Sequence, residues 1–251
     1  VEKPLALTVA DAERIVAMAR DQGRVVSVIS QRRLEPEYAA VKAMLEAGQL
    51  GRVRLATTHV HWWRDDAYYA AAPWRSQMDA GGGSVMNQGV HNIDLLNWLC
   101  GPVTQVTAQY ATLGHDMDAE DTTVATVQFD GGALGLISTS TATPPGSPAT
   151  VTLHTDRGTV ELGQGEVLRW DIDAPPPALG EDEAGPASGA ADPAAIGVAG
   201  HVAQWRDILT AITDRCEPQI TGRDGADTVR LMCAIYEAAR TGRAVQPGEL
   251  S

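Results

Sequence analysis

Six short runs rich in β-branched residues follow one another between residues 103 and 171, and no other feature constrains the fold as strongly. They cover 103–113, 122–129, 133–141, 149–155, 158–162 and 166–171, with Asp130-Gly131-Gly132 and Asp156-Arg157-Gly158 among their connections. Both are tight-turn signals, since glycine accepts the left-handed backbone of a hairpin, so the spacing predicts an antiparallel meander. A further run over 53–63, β-branched and aromatic, predicts a long strand ending in His61-Trp62-Trp63-Arg64.

Helical periodicity brackets these strands. Ala12, Ile15, Val16 and Ala19 after a Thr8 cap predict a helix over 9–22, and Pro36, Tyr38, Val41, Met44 and Leu45 predict one over 36–47. Between them, residues 24–29 read as a short buried strand. Residues 83–98 predict a helix closed by Gly101-Pro102. Two more are expected over 201–213, with Val202, Trp205, Ile208, Leu209 and Ile212 on one side, and over 224–241. Residues 65–82 lack a clear period and read as a structured loop; 174–200, rich in Pro, Ala, Gly and acid without Lys or Arg, reads as a mobile one. The fold class expected is α+β (mixed α/β), with an open, mostly antiparallel sheet covered by helices on one face.

Across 251 residues, 44% hydrophobic and 20% charged content suits a soluble globular protein, and a net charge of −13 argues against nucleic-acid or anionic-membrane partners. Cys100, Cys216 and Cys233 are far apart, which fits a reducing, cytoplasmic setting rather than a disulfide framework. No apolar run reaches membrane-span length. The chain opens with Val1 rather than Met, so a fragment of a longer protein is expected.

The candidate site centres on residues 80–101. Asn87, His91 and Asp94 are four and then three residues apart, which on a helix places an amide, an imidazole and a carboxylate along one side. A core helix whose polar groups satisfy nearby backbone meets the same spacing. Tyr68, Tyr69, Trp74 and Arg75 concentrate recognition-type side chains in the preceding loop, where they either bind a ligand or plug the end of the sheet. Gly81-Gly82-Gly83 is not a dinucleotide fingerprint, because Met86 stands where the last glycine is needed. These glycines allow close backbone approach or a sharp turn. The scattered histidines predict no metal site, and no Gly-x-Ser-x-Gly elbow occurs.

Glu2-Lys3-Pro4 before a capped helix, Tyr68-Tyr69 with Trp74-Arg75, the run 81–94, Gly222-Arg-Asp-Gly225 and the run 235–242 together resemble the glucose-fructose oxidoreductase, inositol dehydrogenase and MocA family (Gfo/Idh/MocA), over the whole chain. The resemblance implies that residues 1–30 are the end of an NAD(P)-binding Rossmann domain. It implies that 31–251 form a dihydrodipicolinate reductase-like C-terminal domain for substrate binding and homo-oligomer assembly. It implies hydride transfer between NAD or NADP and a secondary alcohol of a sugar, nucleotide sugar or cyclitol, with Lys3 and His91 at the reacting hydroxyl. Glu2, Lys3 and Pro4 then border the cofactor, and Asn87, Tyr68, Tyr69, Trp74, Arg75 and Asp94 contact substrate. Without the glycine-rich unit the chain alone is expected to be inactive and to bind cofactor weakly. The alternative from another class is a non-catalytic carbohydrate-binding or assembly module. Asn87 stands where many relatives carry Asp, which removes a carboxylate that would raise the His91 pKa.

Overall fold

The computed structural model describes residues 1–177 and 198–250. Most of the expected 174–200 loop therefore lies outside the described residues.

Helix α1 (Val9–Asp21) starts where Thr8 Oγ1 accepts the Asp11 N–H at 3.1 Å, a conventional side-chain cap. Helix α2 (Pro36–Glu46) has proline in its first turn, where the missing N–H costs nothing. Strand β1 (Val53–His61) and the short helix α3 (Asp66–Ala70) follow, the latter capped by Asp65. The expected loop over 65–82 is thus partly ordered: an Asp cap and Pro73 suffice to nucleate single turns too short to show a period.

A π-helical turn, Ser84–Gly89, leads into α4 (Val90–Cys100). Then come β2 (Val103–Ala111), β3 (Thr122–Phe129), β4 (Leu134–Ser140), β5 (Thr150–Thr155), β6 (Gly158–Leu162) and β7 (Val167–Ile172). Helices α5 (Ala199–Asp214) and α6 (Gly222–Thr241) complete the described chain. Among the described residues, no helix is long and apolar enough to cross a membrane.

The seven strands form one sheet in the order β2-β3-β4-β1-β5-β6-β7. Five pairings are antiparallel, as the turns predict, but β1 inserts between β4 and β5 and runs parallel to β4, with Leu55 opposite Leu134 and His61 opposite Ser140. Along β3, Thr123, Ala125, Val127 and Phe129 are buried while Val124, Thr126 and Gln128 are exposed. Period-two alternation of this kind means one covered face and one open face. Helices α4 and α6 cover the first, packing Ile93, Leu96, Met232 and Ile235 against Ala56, Val106, Ile137 and Leu153.

Two expectations need correction. Residues 24–29 form no strand; Ile29 N–H bonds Val1 O at 2.9 Å, the Val1 amino group bonds Ser27 O, and Val26 O accepts from Gly222 N–H at 2.7 Å, which are separate contacts rather than a ladder. The apolar stripe expected to bury α5 is largely exposed: Val202, Trp205, Leu209 and Ile212 face outward. The helix buries Ile208, Ala211 and Gln204, and the Gln204 amide bonds Ser30 N, Ser27 Oγ and Val28 O and so satisfies the segment beneath it.

Candidate functional site

The glycines before α4 are fixed by close packing. A Cβ on Gly82 would lie 2.3 Å from Arg75 O, and one on Gly83, at φ +95°, would lie 2.5 Å from Glu120 Oε1. Buried Glu120 accepts from Val85 N–H at 2.9 Å, from Ser84 Oγ and from Tyr236 OH, and so pins the wide turn from behind. Burial pushes its pKa up, against those hydrogen bonds. π-Turns commonly accompany functional sites because they redirect side chains within a helix.

The next turns of α4 are fixed by a buried ion pair. Arg33 reaches both Asp94 oxygens at 2.8 and 2.7 Å and Asp224 at 2.8 Å, while Thr228 Oγ1 donates to Asp94 Oδ1 at 2.8 Å. Asp94 is therefore occupied within the core, which corrects its expected role as a substrate contact. Its neighbour Asn92 is bound on both ends, accepting from Arg32 at 3.2 Å and donating to Thr58 Oγ1 at 3.0 Å.

Lys3, beside a cis Lys3–Pro4 bond, comes to this turn from the first residues of the chain. Its Nζ donates to Asn87 O at 2.5 Å and contacts Asn87 Oδ1 at 3.3 Å. Burial lowers the Lys3 pKa to about 8, with Glu2 opposing that shift and Arg32 adding to it. Asn87 Nδ2 and Gln88 Nε2 both donate to Tyr68 OH, at 3.3 and 3.2 Å. Arg75 stacks 4.0 Å above the Tyr68 ring and donates to Tyr68 O. His91 Nδ1 is buried and has no partner. Burial first, and then the charges of Lys3, Arg32 and His201, hold the imidazole well below its ordinary pKa. His91 is thus neutral near neutral pH and able to accept a proton.

The structure brings together Lys3, Tyr68, Arg75, Asn87 and His91. Tyr69 does not join them: its hydroxyl bonds Thr141 Oγ1 at 2.7 Å and its ring packs on His115 at the end of the sheet. Trp74 stands at the rim, 44% exposed, beside Arg75. Glu2 is exposed and acts on Lys3 through its charge. Arg32 and His201 were missed. Arg32 sits in a polar run that reads only as a strand boundary, and His201 is distant in sequence, so only the fold shows both acting on His91.

The family model described as GFO/IDH/MocA C-terminal domain matches residues 38–161. The WlbA dehydrogenase from Bordetella pertussis, solved in complex with NADH and UDP-GlcNAcA, is 32% identical with a TM-score of 0.84, over 98% of this chain and 70% of that one. D-apiose dehydrogenase from Rhizobium rhizogenes is 24% identical over 99% of this chain and 72% of its own length. Myo-inositol dehydrogenase Hyg17 from Streptomyces leeuwenhoekii is 29% identical over 64% of this chain, and the match spans 49% of its own length.

Proposed function

The chain belongs to the Gfo/Idh/MocA family of oxidoreductases, and from that premise we propose that its site serves NAD(P)-dependent oxidation or reduction at a secondary carbinol of a sugar, nucleotide sugar or cyclitol. The observation that carries this reading is the buried, unpartnered Nδ1 of a neutral His91 beside the Lys3 ammonium. These groups fit the reacting end of a nicotinamide and its substrate. The phosphate end is not held by Gly81-Gly82-Gly83, whose surroundings are filled by Arg75 O and Glu120.

When bound, the nicotinamide supplies the hydride acceptor, or the donor in the reverse direction. Lys3 donates a hydrogen bond to the substrate oxygen and stabilises the negative charge that grows there. His91 takes the hydroxyl proton as the C–H bond breaks, and returns it in reduction. Asn87 holds Lys3 and Tyr68 in place, so that it orients the site without exchanging protons. Residues 1–30 fit the closing portion of a dinucleotide domain, since Lys3 enters the site from there. The exposed Leu55, Val124 and Leu134 on the open sheet face fit contact between copies of the chain. Three free cysteines fit a cytoplasmic setting.

Replacing His91 by Ala in the complete protein tests the reading. General-base catalysis contributes roughly 10²- to 10⁴-fold, so turnover should fall by that order. Undiminished turnover would remove His91 as the base, and carbohydrate binding by the complete protein without any turnover would instead support a binding or assembly module. The 251 residues alone should show no saturable binding on titration with NADH or NADPH; tight binding would contradict the assignment of the phosphate end to another part of the protein.

A further inference from the structure

The next inference rests on the alcohol-oxidising reading and concerns a buried residue behind the reacting groups. Lys3 and Asn87 come from distant parts of the chain and meet where Nζ bonds the Asn87 carbonyl at 2.5 Å. Each belongs to a separate body. Lys3 begins a segment that rides on α6: a Cβ on Gly225 would lie 3.1 Å from Leu5 Cβ, and Cys233 Sγ contacts Leu7 O at 3.6 Å. Asn87 lies on the π-helical turn Ser84–Gly89, which packs on β3 and β4. The aim of the Lys3 ammonium therefore depends on how α6 and this turn are set against each other.

Glu120, 1% exposed and two residues before β3, is bonded to both bodies. Its Oε1 accepts Val85 N–H at 2.9 Å and the Tyr236 hydroxyl of α6, also at 2.9 Å, and its Oε2 accepts Ser84 Oγ at 2.5 Å. Its backbone carbonyl takes Ser84 N–H at 3.0 Å. Gly83 leaves room for it, since a Cβ there would lie 2.5 Å from Oε1. These partners are neutral donors, so hydrogen bonds rather than a charge pair offset the burial of the carboxyl. The carboxyl supplies two acceptor oxygens on one rigid group, which an amide or a hydroxyl lacks. One side chain thereby joins turn and helix, whereas Thr139 Oγ1, 2.7 Å from Ser84 Oγ, reaches the turn alone.

We propose that Glu120 is a positioning residue for the reaction: by binding the turn through Ser84 and Val85 and α6 through Tyr236, it sets the register in which Lys3 meets Asn87 and so aims the ammonium at the carbinol oxygen. It exchanges no proton with the substrate, and its effect on turnover passes through Lys3.

The test begins without substrate. Lys3 and Lys42 are the two lysines of these 251 residues, and Lys42 is held elsewhere, by Trp98 O at 2.8 Å and by Glu46. The complete protein is acetylated briefly with limiting acetic anhydride at a pH near the Lys3 pKa of about 8, and the products are read by peptide mass spectrometry. Glu120→Ala should raise the labelling of Lys3 relative to Lys42 several-fold. Glu120→Gln, which keeps one acceptor oxygen, and Tyr236→Phe, which frees only α6, should each give a smaller rise, and they carry the test if the alanine variant does not fold. Kinetics then follow with NAD or NADP and the best substrate from a panel of cyclitols, aldoses and nucleotide-linked sugars. Glu120→Ala should lose roughly 10- to 100-fold in kcat with KM little changed, as expected when a reacting group is misplaced by about 1 Å, and Glu120→Gln should recover part of the loss. In a Lys3→Met background the same substitution should cost almost nothing further, because residues that act as one unit are non-additive. Lys3 labelling unmoved in all three variants, or losses that multiply in the double variant, would overturn the proposal. A protein that shows the labelling change but turns over none of the panel would refute the oxidoreductase reading and leave the link between Glu120 and Lys3 standing.

Discussion

His91 and Asp94 stand one turn apart on α4 and have opposite surroundings. Both Asp94 oxygens are taken by Arg33, and Thr228 adds a third hydrogen bond. His91 keeps a buried nitrogen with no partner, and every charge named as acting on it is that of a basic group. Spacing on a helix makes the two equivalent, and hydrogen-bond saturation separates them. The saturated turn holds the scaffold, and the unsatisfied one faces the chemistry.

Breaking Asp94 gives the largest expected effect on stability. Asp94→Ala leaves Arg33 buried without its main counter-charge, and removing one partner of a buried pair typically costs about 3–5 kcal/mol. Thermal unfolding of the complete protein should show a clear loss for Asp94→Ala and a much smaller one for His91→Ala, while turnover should fall in both. If the two variants melt alike, the division into scaffold and site is wrong.

A smaller effect concerns Lys3. Burial brings its pKa down to about 8, so the ammonium is present below that value and is lost as pH rises through it. If the ammonium stabilises the developing alkoxide, kcat/KM should decline above about pH 8, by roughly tenfold per pH unit at the limit. Lys3→Arg keeps a charge throughout this range. Its residual activity should therefore lose that alkaline decline; a decline that persists would assign it to another group.

Local chemistry made much of this legible in the sequence. The Thr8 cap, the Pro36 start, the strands over 122–129 and 158–162 and the glycine-driven entry to α4 all follow from neighbouring residues. What was not legible depends on distant partners. The parallel pairing of β1 with β4 joins segments some eighty residues apart, and neither strand's sequence encodes which edge it takes. Residues 24–29 have strand-like composition but form no ladder in this chain. The stripe on α5 misleads because Gln204, a polar residue, is the one buried to satisfy backbone groups. Within the site, Asn87 and His91 were readable as neighbours on a helix, and Lys3 through the family resemblance. Arg32 and His201 needed the fold, because Arg32 is brought to α4 by Asn92 and His201 by the packing of Gly200 on Gln31.

The most direct test is an NMR titration of the His91 ring in the complete protein without substrate. Burial and the basic groups around it should keep the ring neutral, with a protonation midpoint well below 6.5. A midpoint at or above 6.5 would mean that His91 is neither desolvated nor flanked by those charges, and would contradict its assignment as the proton acceptor.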